Sequence, residues 1–242
     1  MNPPPDATIP PMRPWAPILL LTIFLTAQPA PEVEITAEPH HRLVFENAQV
    51  RVFFVDVPPH AETLMHWHRH DNIFVTIGAA QIVNAVAGKD PVPLTLPDGD
   101  VHFVSAPFAH IFRNLSAQPF RNLTIELRQD DKLRHSTFKW DPTRGLDILH
   151  GGTSEILFVK DAVRVSNFEL QHGGVIPTHH AGPRLLVAVT DLKLRTDLAG
   201  TTPSTIAMKR SEIKWLPAAV SQPLTNASEG VAKFITLEFP KQ

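Results

Sequence analysis

The sequence contains no cysteine and no tyrosine. Without thiols the chain cannot form disulfides, a thiolate zinc site or an iron–sulfur cluster, and it has no thiol nucleophile. It also lacks an excess of charge of one sign, because 22 Lys and Arg residues stand against 24 Asp and Glu residues. A chain without a basic field has little to attract nucleic acid or an anionic membrane. We therefore expect a small-molecule ligand and no nucleic-acid partner.

Proline and histidine, in contrast, are abundant. The 242 residues include 24 prolines and 13 histidines, against 11 glycines. The hydrophobic fraction of 43% is enough to build a sizeable core. Many prolines and few stretches of helical period are typical of a β-rich protein with many turns. The histidines are the first candidates for chemistry.

The N-terminus carries a short apolar segment behind the single cation Arg13. Trp15 to Ala27 reads WAPILLLTIFLTA and has no charge. A bilayer span needs about twenty residues, so this segment has the length of a signal-peptide core instead. We predict that residues 1–27 are a signal peptide and that the chain is exported, to the periplasm or the medium, with no membrane span after processing. The alternative is a buried N-terminal strand or helix.

The remaining chain contains an internal repeat. Residues 43–78 align without a gap on residues 156–191 at an offset of 113, and residues 99–116 align on residues 211–228 at an offset of 112. The matches pair His66 with His179 and Asn114 with Asn226. We predict two copies of one domain, residues 42–128 and 155–240, joined by a polar linker at residues 129–154. Each copy consists of short β-branched segments separated by turn residues, which indicates a sandwich or barrel.

Three histidines of the first copy recur at every second position. In a strand, His66, His68 and His70 would point to one face, together with Asn72. Neighbouring members of this series can converge on one ion, so the ligand pair is either His66 and His68 or His68 and His70. His110, on a strand across the barrel, is the candidate third ligand. Imidazole commonly binds zinc, iron, copper and nickel.

The alternative interpretation is an exposed polar face on an edge strand. His40 and His41, just before the repeat, are interpreted as surface residues.

The spacing of these residues resembles the two motifs of the cupin superfamily. The sequence matches that frame at His66, His68, Gly99, His110 and Asn114, while His60 and Pro107 stand where the motifs usually have glycine. The resemblance covers nearly all of the chain after the N-terminal segment. It implies an all-β protein with two tandem cupin-type jelly-roll β-barrels, a bicupin. It also allows a homodimer, which is common among cupins.

The sequence departs from the cupin pattern in both copies. The usual ligand glutamate falls near Asn72, so Asn72 or water would complete the first site. In the second copy Ala181 and Gln222 replace two of the ligand histidines, and only His179 remains. We expect the second copy to be metal-free and to serve as a structural partner.

Two functions follow from these residues. The first is an exported metalloprotein that holds one divalent Fe, Zn, Ni, Cu or Mn ion, with enzymatic activity of the oxygenase, isomerase or lyase type on a small oxygenated compound. The second is a non-catalytic cupin that binds a small ligand or serves as a scaffold. The metal ligands would come from His66, His68, His110, Asn72 and His70. Catalytic residues are not identified, and His70 or His102 could act as a base only if it points inward.

Overall fold

A computed structural model describes residues 32–140, 145–196, 204–221 and 223–241. The predicted signal peptide and Gln222 lie outside these residues. Apart from a 3₁₀ turn at Ile35–Ala37 and the helix α1 at Asp130–Arg134, the regular structure described is all strand. No described helix has the length and hydropathy needed to cross a bilayer.

The first half contains ten strands, arranged as two facing five-stranded sheets in the orders β1-β4-β9-β6-β7 and β2-β3-β10-β5-β8. Their bounds are β1 Val33–Glu34, β2 His41–Glu46, β3 Val50–Val57, β4 His66–His68, β5 Asn72–Thr76, β6 Ala80–Val86, β7 Val92–Leu96, β8 Val101–Val104, β9 Phe108–Asn114 and β10 Phe120–Leu127.

The second half repeats these pairings. Its strands follow the orders β11-β12-β20-β14-β17, β13-β18 and β19-β15-β16, although β12 and β19 also pair. Their bounds are β11 Leu146–Lys160, β12 Val163–Ile176, β13 His179–Ala181, β14 Arg184–Ala188, β15 Leu192–Thr196, β16 Ser204–Met208, β17 Ile213–Leu216, β18 Ala219–Ser221, β19 Leu224–Asn226 and β20 Ala232–Glu238. Strand β11 begins inside the segment 129–154 that the sequence suggested as a linker.

The two barrels pack against each other through one face of their central sheets. Ile125 on β10 and Leu237 on β20 belong to one buried apolar cluster that draws on both halves. Because side chains alternate along a strand, the next residues, Glu126 and Glu238, point to the opposite faces, into the barrel interiors. The packing between the barrels therefore directs one buried glutamate into each barrel.

The strand register refines the repeat. Asn72 pairs with Glu126 in the first barrel, and Arg184 pairs with Glu238 in the second, both at an offset of 112. His66 and His179 are still 113 positions apart. The second copy is therefore one residue shorter than the first between Ala181 and Arg184. This deletion lies within the stretch that the sequence aligned without a gap. Arg184, and not Leu185, occupies the place of Asn72.

Two turns of the cupin pattern require a left-handed backbone in both copies. His60 has φ of 58° where Gly173 has 75°, and Gly99 has φ of 78° where Ser211 has 69°. Glycine adopts this conformation at no steric cost, whereas other residues adopt it with strain. Each copy therefore keeps the turn even where it has lost the glycine.

Asn114 and Asn226 make the same set of hydrogen bonds to backbone groups in the two barrels. The amide of Asn114 donates to the carbonyl oxygens of Val57, Pro58 and Gln118 at 2.8–3.1 Å, and its Oδ1 accepts from the backbone N–H of Ser116. Asn226 makes four equivalent bonds in the second barrel. The asparagine of the second motif is thus a structural residue.

Replacing Asn114 with alanine should lower the free energy of unfolding by about 2–4 kcal/mol, because buried carbonyl groups lose their donor. Asn226→Ala should cost a similar amount, since its bonds are the same. Urea denaturation of both variants measures the effect. The exposed Gln171→Ala control should stay within about 0.5 kcal/mol of the wild type. An equally small change in Asn114→Ala would disprove the structural role.

Candidate metal centre

Three of the predicted ligands meet inside the first barrel. His66 and His68 lie on β4, and His66 pairs with His110 on β9. The Nε2 atom of His110 lies 3.1 Å from that of His66 and 3.2 Å from that of His68. The three residues are 0%, 2% and 3% exposed. The alternative of an exposed polar strand face is therefore wrong.

A fourth histidine, His41, joins this group. It is 6% exposed, and its ligand atom lies within 4.8 Å of those of His66 and His68. Its Nε2 is buried without a hydrogen-bond partner among the described residues. The interpretation of His41 as a surface residue is thus wrong. We call His41, His66, His68 and His110 the four-histidine cluster.

Three imidazoles of the cluster have an acceptor at hydrogen-bond distance from their outward nitrogen, and His68 has none among the described residues. His66 Nδ1 lies 2.8 Å from the carbonyl oxygen of Leu64, and His110 Nδ1 lies 2.9 Å from Oδ1 of Asn84. An acceptor at Nδ1 assigns the proton to that nitrogen and leaves a lone pair on Nε2. Metal-binding histidines are commonly oriented in this way.

Carboxylates face the other two imidazoles. Glu38 contacts His41 Nδ1 at 2.5 Å, and Glu126 Oε1 lies 3.7 Å from His68 Nδ1, longer than a hydrogen bond. Arg51 pairs with the second oxygen of Glu126 at 2.6 Å. Burial raises the pKa of Glu126, but its contacts with His68 and Arg51 outweigh burial and lower the pKa overall. The cluster is therefore bordered by two carboxylates and one guanidinium.

These distances fit the coordination of a single ion. Two nitrogens bound at about 2.0–2.1 Å to one ion, at a tetrahedral or right angle, lie about 2.9–3.4 Å apart. The Nε2 separations of 3.1 and 3.2 Å fall in this range. When these nitrogens are unprotonated, their lone pairs repel each other, and a cation between them relieves the repulsion. The donor set thus fits a divalent metal.

The other two predicted ligands, His70 and Asn72, are not members of the four-histidine cluster. His70 lies beyond the end of β4, about a third exposed, with its Nδ1 3.5 Å from Asp130. Of the two candidate pairs, the geometry favours His66 and His68. Asn72 is buried opposite Glu126, and its Nδ2 has no hydrogen-bond partner among the described residues. Its role as a ligand stays a prediction. His102 is half-exposed and bonded to Asp100.

Burial keeps two imidazoles of the cluster in the neutral form that binds a cation. It lowers the pKa of His66 to about 3, with the nearby His41 as the next cause. It also lowers the pKa of His110 well below its ordinary value, and the neighbouring imidazoles add to this effect. Both side chains are therefore neutral near pH 7, the form in which imidazole binds metals. Protons should compete at His66 only well below pH 6.5, the pKa of a free imidazole.

The lowered pKa of His66 predicts how the metal-free protein responds to acid. Below about pH 6.5 the unfolded chain protonates this histidine, whereas the folded chain keeps it neutral until its pKa near 3. The free energy of unfolding should therefore fall as pH decreases through this window, by up to about 1.4 kcal/mol per pH unit from His66. Urea denaturation in chelator measures the slope.

The His66→Gln variant should have a shallower slope than the wild type between about pH 6 and pH 5. Gln171→Ala, which removes no titratable group from an exposed position, is the control and should keep the wild-type slope. Identical slopes for wild type and His66→Gln would contradict the account.

Comparisons with known proteins support the fold. No family model matches the sequence, and no curated protein does. Solved structures do match. Lactobacillus farciminis oxalate decarboxylase, in a formate complex, is 13% identical with a TM-score of 0.58, over 86% of this chain and 85% of that chain. The Bacillus subtilis oxalate decarboxylase whose Mn(II) centres have been studied is 10% identical with a TM-score of 0.58, over 86% of this chain and 77% of that chain.

The similarity confirms the predicted fold class. The protein is all-β and has two tandem cupin-type jelly-roll β-barrels, and the matched region covers both. At identities of 10–13% the similarity shows the fold alone.

Proposed function

We propose that the first barrel binds one divalent metal ion through His66, His68 and His110, with His41 as a fourth ligand. The observation that carries this proposal is the convergence of the Nε2 atoms at 3.1 and 3.2 Å, with the Nδ1 atoms of His66 and His110 at hydrogen-bond distance from acceptors. The charge around the cluster supports it too. Glu38 and Glu126 supply two buried negative charges and Arg51 one positive charge, so a cation reduces the imbalance.

Several metals suit this donor set. Imidazole suits zinc, copper, iron and nickel, whereas manganese prefers oxygen ligands. Manganese stays a candidate because the fold neighbour from Bacillus subtilis has Mn(II) centres. The four-histidine cluster favours zinc, copper, iron and nickel over manganese, because the fourth histidine supplies a nitrogen donor in place of a carboxylate oxygen.

The first candidate function is metal-dependent catalysis on a small oxygenated compound. A bound divalent ion would polarise a carbonyl or carboxylate oxygen of such a compound. The residues of this chain would hold the ion and exclude water from it, since the four histidines are buried. Glu126, with its Oε1 3.7 Å from Nδ1 of His68, would place a negative charge beside that imidazole. The fold neighbours act on oxalate, which makes small carboxylates the first compounds to test.

The second candidate function is binding without catalysis. It requires His41, whose ligand atom lies within 4.8 Å of those of His66 and His68, to move toward the ion, because four protein ligands complete a tetrahedral site and leave no position for substrate. Six-coordination would leave two positions open. The absorption spectrum of the cobalt-substituted protein separates the two, because four-coordinate cobalt absorbs far more strongly than six-coordinate cobalt.

Metal analysis tests the proposal itself. The protein is purified without chelator, stripped, and supplied in turn with zinc, iron, nickel, copper and manganese. About one ion per chain is expected at micromolar concentration. Failure to bind any of the five would overturn the proposal and leave a metal-free ligand-binding or scaffold protein.

His41→Ala should weaken metal binding by about 10–100-fold, because one of four donors is lost while the other three keep their geometry. Chelator competition measures the change. His40→Ala is the matched control at the adjacent position, and its affinity should equal that of the wild type, because the His40 Nδ1 bonds to the carbonyl oxygen of Asp56. Equal affinities for His41→Ala and the wild type would show that only three histidines bind.

We further propose that the protein is exported, on the strength of the apolar segment Trp15–Ala27 behind Arg13. Mass spectrometry of the protein from its native host should find an N-terminus near Gln28. An intact Met1 in the cytosolic fraction would contradict export without affecting the metal site.

A further inference from the structure

The second barrel contains a cavity of about 220 Å³ on the inner face of its strands β12, β20 and β14. Because every second side chain of a strand points to the same face, these strands present successive cross-strand rows of side chains to the cavity. A charged row begins at Arg164, a hydroxyl row at Ser166 and an aromatic row at Phe168. The lining therefore changes from charged to apolar along the strands.

The charged row consists of Arg164, Glu238 and Arg184, and its charges are compensated within the protein. Arg164 bonds to Oε2 of Glu238 at 2.5 Å, and Oε1 of Glu238 accepts from the backbone N–H of Gly182. Arg184 stands opposite Glu238 and donates to the carbonyl oxygen of Gly182 at 3.4 Å. The exposed Asp147 adds a second carboxylate to the lining, so two arginines stand against two acidic residues. This balance favours an uncharged ligand.

The aromatic row makes the other end of the cavity apolar. Phe168 and Phe234 stack with their ring centroids 5.0 Å apart and their planes at 7°, and both line the cavity. Ile176 and Leu224 extend this apolar wall. Aromatic rings pack favourably against one another in offset-stacked or edge-to-face arrangements. This end of the cavity therefore suits the ring of an aromatic molecule.

The equivalent row of the first barrel is polar. The strand pairings place His41, Asn122 and Thr76 where the second barrel has Ser154, Phe234 and Ala188. A small side chain at Ser154 replaces an imidazole and leaves space, and Ser154 lines the cavity. The phenyl ring and the methyl group that replace an amide and a hydroxyl make that space apolar. The second copy has thus exchanged polar groups for room and an apolar wall.

Two hydroxyl groups lie between the charged and the aromatic rows. Ser166 and Thr236 pair across β12 and β20, line the cavity and are each 7% exposed. A hydroxyl group both donates and accepts a hydrogen bond. The hydroxyl row can therefore bind a hydroxyl group of a ligand without adding charge to the cavity.

We propose that the second barrel binds a small uncharged aromatic alcohol, with its ring against the aromatic row and its hydroxyl group at Ser166 and Thr236. An engineered apolar cavity of about 150 Å³ holds benzene, so a cavity of about 220 Å³ has room for a ring with a short substituent. Asp147 and Pro177 line the cavity and are exposed, so it is open to solvent. This proposal does not depend on metal binding by the first barrel.

Benzyl alcohol and benzoate test the proposal on the full-length protein by calorimetry. Benzyl alcohol should bind in the millimolar range or tighter. Benzoate should bind about tenfold more weakly or worse, because its carboxylate would leave water for a cavity whose charges are already paired. Chelator should not change the binding of benzyl alcohol, since no metal takes part. Absence of benzyl alcohol binding, equal or tighter binding of benzoate, or loss of binding in chelator would each overturn the proposal.

Ser154→Phe should weaken benzyl alcohol binding about tenfold or more, because its ring fills the space beside the aromatic row. Thr153→Phe is the matched control and should bind benzyl alcohol like the wild type, because the side chain of Thr153 points to the opposite face of β11. Undiminished binding by a folded Ser154→Phe protein contradicts the proposal. If that variant does not fold, Ser166→Leu fills the cavity from β12 instead, and unchanged binding would likewise overturn the assignment.

Thr236→Val tests the place of the ligand's hydroxyl group, because valine keeps the shape of threonine without its hydroxyl. It should weaken the binding of benzyl alcohol about two- to tenfold and leave the binding of toluene, which has no hydroxyl, unchanged. Equal weakening of both compounds, or of neither, would contradict the assignment of the hydroxyl group to this row.

Discussion

His68→Ala should reduce the affinity for a divalent metal ion by about 100-fold or more, the largest effect expected of any single substitution in this protein. His68 contributes one of the three converging Nε2 atoms, 3.2 Å from that of His110. It is also the imidazole that faces Glu126, so its loss leaves that buried carboxylate with Arg51 alone. Chelator competition with the stripped protein measures the affinity.

Two histidine substitutions serve as controls for His68→Ala. His70→Ala, two positions along the chain, should bind metal like the wild type, because His70 faces Asp130 and not the cluster. His179→Ala, the repeat partner of His66, should also keep the wild-type metal content. Loss of metal in His179→Ala, or full retention in a folded His68→Ala protein, would contradict the assignment of the site to the first barrel.

Metal binding should also stabilise the folded protein strongly. The four imidazoles converge only in the folded chain, so an ion that binds them shifts the unfolding equilibrium. At a free metal concentration about a thousandfold above the dissociation constant, the free energy of unfolding should rise by about 4 kcal/mol. Urea denaturation with metal and with chelator measures the difference.

The same measurement on His68→Ala should show little stabilisation by metal at the same concentration, because the affinity is lost. Equal stabilisation of the wild type and His68→Ala would mean that the ion binds elsewhere. A wild type whose unfolding is the same in metal and in chelator would contradict the site altogether.

Much of the fold could be predicted because it depends on local patterns. Short β-branched segments and proline-rich turns indicated the strands, and the repeat indicated two like units. His66, His68 and His110 could be predicted because a strand sends alternate residues to one face, and because the cupin motifs assign His110 to the third position. All three are buried, and their binding of a metal stays a prediction.

His41 and Glu126 could not be predicted from local patterns. Nothing in the sequence distinguishes His41 from the adjacent His40, and only its pairing with Val55, a barrel-core residue, directs it inward. Glu126 lies in a strand that could present either face to either barrel, and the packing of Ile125 between the barrels decides which one. Both are consequences of tertiary pairing.

The alignment of the repeat failed at one point for a similar reason. Residues 156–191 match residues 43–78 without a gap in sequence, yet the strand register places a one-residue loss before Arg184. A shift of one residue turns a strand's side chains to the other face. The sequence alignment therefore assigned Leu185 to the position that Arg184 occupies. It did not predict the buried guanidinium group of Arg184 in the second barrel.

Anomalous diffraction from crystals of the metal-loaded protein tests the central claim most directly. One peak per chain is expected in the first barrel, within about 2.0–2.3 Å of the Nε2 atoms of His66, His68 and His110. The Nε2 of His41 should turn toward the same peak. A peak in the second barrel, or no peak near these three atoms in crystals grown with saturating metal, would contradict the account.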